Sequence, residues 1–370
     1  MNGDRPVTEQ RAERHPKTIW ILTHNRVGDL QQMQALARAL GWPTTVKRLV
    51  FRPLNVPILA RLLLDRRKSD SIGPPWPDLL LCAEARASVI ALDIRQRSKG
   101  AVKIVCLGRP AGSADRFDLV LTTPQYRLPK LRQVIELPLP IVGDEREIPT
   151  DSLPLDLAGL SEMPRPLTAV LIGGTSLPER FDECAAACLV QSLLDHVRDS
   201  RGSLLIVTSP RTSKPAADAL MGLIRPPHVV HLWNETAGDT YPRLLALADE
   251  IVVTSDSVSM AADALATDKP VSIYRLPRQW TLKHRLIERL YQLSAKNTPL
   301  WLMPVKYLFE TGLIEPRADR QLLFDRLVAE GRLRWFGEED WVRGHSARDV
   351  AQIEIAAESV SGLFSPVRTQ

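Results

Sequence analysis

The sequence predicts an α/β protein made of two doubly wound parallel-sheet domains in tandem. Short apolar runs alternate with segments of helical spacing over most of the 370 residues, which is the pattern of strand–helix–strand units. The alternation breaks between Pro138 and Pro166, a stretch rich in Pro, Asp and Glu with no sustained period, and then restarts. A chain of this length also exceeds what one core usually serves.

Met1 to Lys17 is polar, lacks the apolar centre of a signal peptide, and is predicted to be a disordered tail. Thr18 to Thr23 (TIWILT) reads as a buried strand. Asp29 then offers an N-cap with Gln32 in the capping-box position. Met33, Leu36, Ala37 and Leu40 follow at helical spacing, and Gly41 ends the helix. Further strands are predicted at 44–50, 78–82, 102–106 and 118–122, with a helix at 84–97, giving a first domain over 18–150. The second domain, 165–278, carries strands at 167–172, 203–208, 229–232, 250–254 and 271–274. Its helices are expected at 179–199, 213–223, 241–248 and 257–266. From Gln279 to Gln370 the pattern is mostly helical and ends in an amphipathic stretch near 347–363. Two such Rossmann-like domains can face one another across a cleft, with ligands at the carboxyl ends of their strands.

Composition narrows the function. No run approaches the roughly 18 apolar residues of a membrane span, so a cytoplasmic protein is expected. Four cysteines are too few for a disulfide framework. A net charge of +5 favours anionic partners, yet is weaker than the balance of a nucleic-acid binder, so none is expected.

The loops after the strands carry the candidate chemistry. Leu171 to Ser176 (LIGGTS) runs a strand into Gly173 and Gly174, which let backbone approach an anion, and into the hydroxyls of Thr175 and Ser176. No Lys follows, so this is not a Walker A loop. Ile251 to Met260 (IVVTSDSVSM) ends a strand in hydroxyls and one Asp before a helix whose first-turn N–H groups can hold an anion. Ser257 can bind or merely cap, and Ser259 adds a further hydroxyl. Asp263, on the same helix, can accept hydrogen bonds from a ribose diol or remain a solvated surface carboxylate. Arg211 ends another strand and can pair with a pyrophosphate, while Trp233 and Asn234 can border a base. In the first domain the loop His24-Asn25-Arg26-Val27-Gly28-Asp29 follows the first strand, and His24 is the best placed general base. Arg26, Gly28, Glu84, Arg86 and Gln125 fall where an acceptor pocket can form.

THNRVGDLQQ at 23–32, LIGGTS, TSPR, LWNETAGDTYP and TSDSVSMAADALATDKPV at 254–271 together resemble the mitochondrial-fission ELM family, whose bacterial members are often labelled predicted nucleoside-diphosphate-sugar epimerases. The resemblance implies a fold similar to GT-B glycosyltransferases, with an N-terminal acceptor domain and a C-terminal nucleotide-sugar domain. It implies that Gly173, Gly174, Thr175, Ser257, Ser259 and Met260 surround a diphosphate and that Asp263 stands where a ribose-binding Glu is common. Family members often read Asp-Gly-Arg-Ala-Gly-His where this chain has His24 to Asp29. Three functions stay open: a metal-free glycosyltransferase acting on an envelope or lipid-linked acceptor, a GT-B-type epimerase, and a non-catalytic adaptor like the plant relatives. No cofactor is required on this reading, and a nucleoside-diphosphate sugar is the expected ligand.

Weaker signals remain. Tyr126 and Lys130 have the spacing of a short-chain epimerase pair, but Pro129 forbids a helix between them. Cys184 and Cys188, at i and i+4 among alanines, read as core packing rather than metal ligands, and His228 with His231 does not complete a set. The basic, leucine-interleaved segments 47–68 and 275–291 fit either an anionic bilayer surface or amphipathic helices with solvated basic faces. A protein partner also stays open.

Overall fold

The computed structural model describes residues 16–24, 27–53, 59–142, 162–233, 240–295, 300–310, 314, 316–338 and 351–365. Residues 1–15 of the predicted tail, Arg26, Asn234 and most of the proposed linker lie outside them.

The first lobe contains β1 (Ile19–Thr23), α1 (Val27–Leu40), β2 (Thr44–Arg48), α2 (Ala60–Leu63), β3 (Leu79–Ala83), α3 (Ala85–Arg97), β4 (Lys103–Leu107), β5 (Leu119–Thr122) and β6 (Val134–Glu136). All six strands run parallel in the order β2-β1-β3-β4-β5-β6. The second lobe contains β7 (Leu167–Leu171), α4 (Glu183–Ser200), β8 (Ser203–Val207), α5 (Lys214–Leu223), β9 (Val229–His231), α6 (Thr240–Leu247), β10 (Glu250–Thr254), α7 (Val258–Leu265) and β11 (Val271–Tyr274). Then come α8 (Leu282–Ala295), α9 (Met303–Glu310), α10 (Arg320–Ala329), β12 (Arg334–Trp335) and α11 (Ala351–Gly362). Its parallel sheet has the order β12-β11-β10-β7-β8-β9. Counted within the lobe this is 6-5-4-1-2-3, the strand order of a dinucleotide-binding doubly wound sheet.

Helices cover both faces of each sheet, so β1, β3, β7 and β8 are buried at every residue. Alternation along β1 sends Ile19 and Ile21 to the layer of α1, with Met33 and Leu36, and Trp20 and Leu22 to the layer of α3, with Ile90 and Ile94.

Several expectations need correction. Helix α1 starts at Val27, so Asp29 lies inside its first turn rather than at the cap, and Gln32 donates to the Gly28 carbonyl at 3.4 Å. A carboxylate favours either position through the helix dipole, so composition does not separate them. Helix α4 starts at Glu183, not 179, because Asp182 accepts from the Ala185 N–H at 3.0 Å and caps it. The short edge strands β6 and β12 were not foreseen, being too brief to show a period. The mostly helical segment 279–370 serves both lobes. Leu323, Phe324 and Leu327 of α10 enter the second-lobe core, whereas Ala356 and Val360 of α11 cross back to the core beneath α1. Among its described residues segment 47–68 forms no amphipathic helix: Lys47 and Arg48 sit on edge strand β2, Arg66 to Lys68 form a turn, and α2 has four residues. Cys184 and Cys188 are exposed, on the outer side of α4, rather than packed.

Among the described residues the lobes meet at several places, and two of them bear on the site. Arg127, between β5 and β6, clasps Glu288 of α8 with two hydrogen bonds of 2.7 and 3.0 Å and donates to the Arg317 carbonyl at 2.6 Å. At the other place Gly28 of α1 faces Ser259 of α7, where a Cβ on Gly28 would stand 3.4 Å from the Ser259 hydroxyl.

Candidate functional site

In the second lobe the strand order reverses between β7 and β10, and the connections after them leave in opposite directions, opening a crevice at the carboxyl ends. The LIGGTS loop follows β7, and the TSDS loop follows β10. They are tied together, since the Gly173 N–H donates to Thr254 Oγ1 at 3.0 Å, and the Ser209 hydroxyl, in the loop after β8, donates to the Gly173 carbonyl. Gly174 has φ +127°, and a side chain there would collide with the Arg211 backbone, so glycine is required twice over.

Asp256 sits behind this loop with its side chain fully buried. It accepts from the Thr254 hydroxyl at 2.7 Å, and its Oδ2 lies 2.9 Å from Arg211 Nη1. That ion pair lacks hydrogen-bond alignment, so among the described residues Oδ2 accepts no hydrogen bond. Burial pushes the Asp256 carboxyl up, against the opposing pull of Arg211, the Thr254 hydroxyl and Arg320. Arg211 itself remains 41% exposed, fixed at one end by Asp256 and open at the other.

The remaining predicted donor-side residues divide. The Thr175 hydroxyl turns inward, accepting from the Phe181 N–H at 2.9 Å and donating to its carbonyl at 3.0 Å. Ser176 Oγ accepts from Arg320 at 2.6 Å, and Arg320 also holds the buried Glu179 at 2.5 Å. These two hydroxyls brace the loop. Ser257 occupies the N-cap position of α7 but makes no side-chain cap bond, leaving the first turn, with Ser259 and Met260, uncapped by a side chain. Asp263, one turn further, accepts from the hydroxyl of the partly buried Tyr241 at 3.4 Å, which ties it to α6. Burial and Asp263 together push the Tyr241 hydroxyl up. Trp233 is half-exposed, and its backbone N–H donates to Thr208 Oγ1 at 2.8 Å.

The first sheet reverses between β1 and β3, and the same geometry brings His24 to Glu84 and Arg86. His24 Nε2 lies 3.0 Å from Glu84 Oε2 and 2.9 Å from Arg86 Nη2. Phe51 packs edge-on against the His24 ring at 5.4 Å and lies under the Arg86 guanidinium. The two polar contacts ask for opposite states of one nitrogen: its lone pair accepts from Arg86, whereas a proton on it donates to Glu84. Glu84 has φ 69° and ψ 160°, a region nearly confined to glycine, so backbone strain is stored beside the histidine. Asp29, Met33, Thr23 and Ala83 complete the hollow. Gln125 does not join it. It is buried at the seam, where its carbonyl accepts from the Asp319 N–H at 2.9 Å.

Residue-level reading of the sequence passed over Asp256 as one Asp among hydroxyls, although a carboxylate ending a strand as apolar as β10 was a signal. It gave Glu84 to the acceptor side without pairing it to His24. Arg320 and Glu179 had no local signal, lying 141 residues apart. Among the described residues no group of three metal-ligating side chains gathers.

Comparison with known proteins supplies the lineage. The chain is 28% identical over 233 residues to the Mitochondrial fission protein ELM1 of Arabidopsis thaliana, covering 57% of this chain and 53% of that protein. It thus spans about half the length of that relative. It is 24% identical over 326 residues to the uncharacterized protein RP120 of Rickettsia prowazekii, covering 74% and 88% respectively. Among solved structures, that of S. aureus MnaA with UDP has a TM-score of 0.46 at 12% identity, covering 84% of this chain and 95% of its own. That of Acinetobacter baumannii MurG has a TM-score of 0.42 at 13% identity, covering 94% and 99%. The profile described as Mitochondrial fission ELM1 matches residues 27–298, nearly three quarters of the sequence, and the chain belongs to that family.

Proposed function

We propose that this chain is a cytoplasmic, GT-B-like protein that binds a nucleoside-diphosphate sugar in its second lobe and transfers the sugar to an acceptor hydroxyl, on an envelope or lipid-linked molecule, held against the first. The observation that carries the reading is the apposition of Gly28 and Ser259, which supports taking the switch-point ends of the two sheets as parts of one site. On the donor side, the first-turn N–H groups of α7 and the open end of Arg211 offer charge and hydrogen bonds to a diphosphate. On the acceptor side, His24 takes the proton as the acceptor oxygen bonds to the anomeric carbon. The bond from that carbon to the diphosphate breaks, and the leaving diphosphate keeps the electron pair and rests on α7 and Arg211. Once protonated at Nε2, His24 is held by Glu84. No step needs a metal or a redox cofactor.

Calorimetric titration with UDP, GDP, CMP and their sugars tests this. One nucleotide should bind, and Arg211→Gln should weaken it by about tenfold or more, the scale of one charge-assisted contact. Failure of every nucleotide to bind overturns it. A GT-B-type epimerase would use the same donor site and is told apart by its product.

A second reading, an adaptor without catalysis, is favoured by one observation: the Asp256 carboxylate presses against Gly173, where a Cβ would collide with Oδ2, so part of the anion cradle already holds an anion. Titration separates the two, since an adaptor would show no nucleotide heat.

A further inference from the structure

We infer that α8 and α9, with the turn leading into α9, form a surface that docks on an anionic lipid bilayer. Single exposed apolar side chains are ordinary on a protein, but contiguous patches are not. Here Leu282, Leu286 and Leu293 lie along one side of α8, at spacings of four and seven, and Trp301, Met303 and Tyr307 stand out from the neighbouring segment. Leu282 is 84% exposed and Trp301 72%. The inward side of α8 is already used, since Glu288 pairs with Arg127, the Tyr291 hydroxyl donates to the Arg127 carbonyl and the Tyr291 ring meets Phe309 at 5.2 Å. That contact holds the two helices together, so their outward residues act as one face.

Charge identifies the occupant. The only acid of α8, Glu288, is turned inward to Arg127, whereas Lys283, Arg285 and Arg289 point outward with no carboxylate partner among the described residues. On α9, Lys306 and Glu310 neutralise one another at 3.8 Å. The free charge of the face is therefore positive, which complements acidic headgroups. Arg289 sits between Leu286 and Leu293 on the same stripe. In the centre of a protein interface such a charge would be desolvated, and charged residues are depleted there. At a bilayer its stem lies along the acyl boundary while the guanidinium reaches the phosphates. Trp301 and Tyr307 are of the type that favours the same boundary. The surface is independent of the nucleotide site, and either can fail without the other.

The test is co-sedimentation of the full chain with vesicles of phosphatidylcholine alone or with one third phosphatidylglycerol. Binding to the acidic vesicles, weak binding to the neutral ones, and release at high salt are expected. Arg285→Gln with Arg289→Gln should weaken partition about 25-fold, at about fivefold for each cation withdrawn. Leu286→Ser with Trp301→Ser should abolish it, while Arg66→Gln with Arg67→Gln, in the other basic segment, should leave it unchanged. All these positions are exposed, so melting temperatures should not move. The Arg285 and Arg289 pair, which removes no apolar contact, decides the matter if the apolar variants do unfold. Absence of binding to acidic vesicles at low salt overturns the inference, as does binding indifferent to these substitutions. Light scattering that shows a dimer turned into a monomer by Leu286→Ser with Trp301→Ser would also overturn it, because a second copy would then cover the face.

Discussion

At Glu84 the chain holds a non-glycine residue at φ 69°, ψ 160°, beside the histidine of the first-lobe hollow. Such geometry costs about 1–3 kcal/mol, and persists where surrounding contacts over-determine it. Glu84→Gly and Glu84→Ala both remove the carboxylate, but only glycine releases the strain. Thermal denaturation should therefore place Glu84→Gly above Glu84→Ala by that amount, and equal midpoints would show that the strain is absent. Asp256 offers a second test. Burial raises its folded-state pKa above its ordinary 3.8, so the native protein holds this proton more tightly than the unfolded chain. The stability it contributes is complete below that ordinary value and is lost as pH rises through the folded one. Asp256→Asn, which keeps the shape, should flatten this decline in denaturant titrations across the acid range. An unchanged slope would assign the pH dependence to another group.

Among elements, α1 and α7 matter most, because their first turns abut at Gly28 and Ser259. Gly28→Ala fits the 3.4 Å space, whereas Gly28→Leu sets a bulky side chain against Ser259 at the point where the two helices meet, where overpacking costs about 1–3 kcal/mol. Nucleotide titration should find Gly28→Ala near wild type and Gly28→Leu clearly weaker. Most of these elements were legible beforehand. Strands such as Leu79–Ala83 and Glu250–Thr254 announce themselves by their apolar runs, because parallel strands are covered on both faces. The Gly173–Gly174 loop was legible for a local reason, the backbone freedom of glycine. The partnership of His24 with Glu84 and Arg86 was not, since 60 or more residues separate them and only the lateral order of β1 and β3 joins them. Arg320 under the LIGGTS loop was hidden in the same way. Local chemistry shows in a sequence, whereas convergence depends on topology.

For the whole molecule the clasp of Arg127 on Glu288 is a tie between the lobes. Burial pushes the Glu288 carboxyl up, but the hydrogen bonds and charge of Arg127, with Gln292, outweigh it and hold it below its ordinary 4.5. Its contribution is thus complete above that value and disappears as pH falls through the depressed one. Glu288→Gln should cost about 2 kcal/mol, the scale of a charge-assisted pair, and should blunt the acid-side loss of stability. Urea unfolding against pH would reveal an unaltered profile if the clasp were idle. The path of α11 has a different consequence. Because Ala356 and Val360 complete the packing beneath α1, the first lobe borrows its last wall from the far end of the polypeptide. A fragment ending near residue 142 would bare Met33 and Leu36 to water and clump, and a synthetic peptide spanning 351–365 should rescue its solubility. Gene halves cut between the sheets would therefore not yield two autonomous modules, since the first would lack the helix that closes its core.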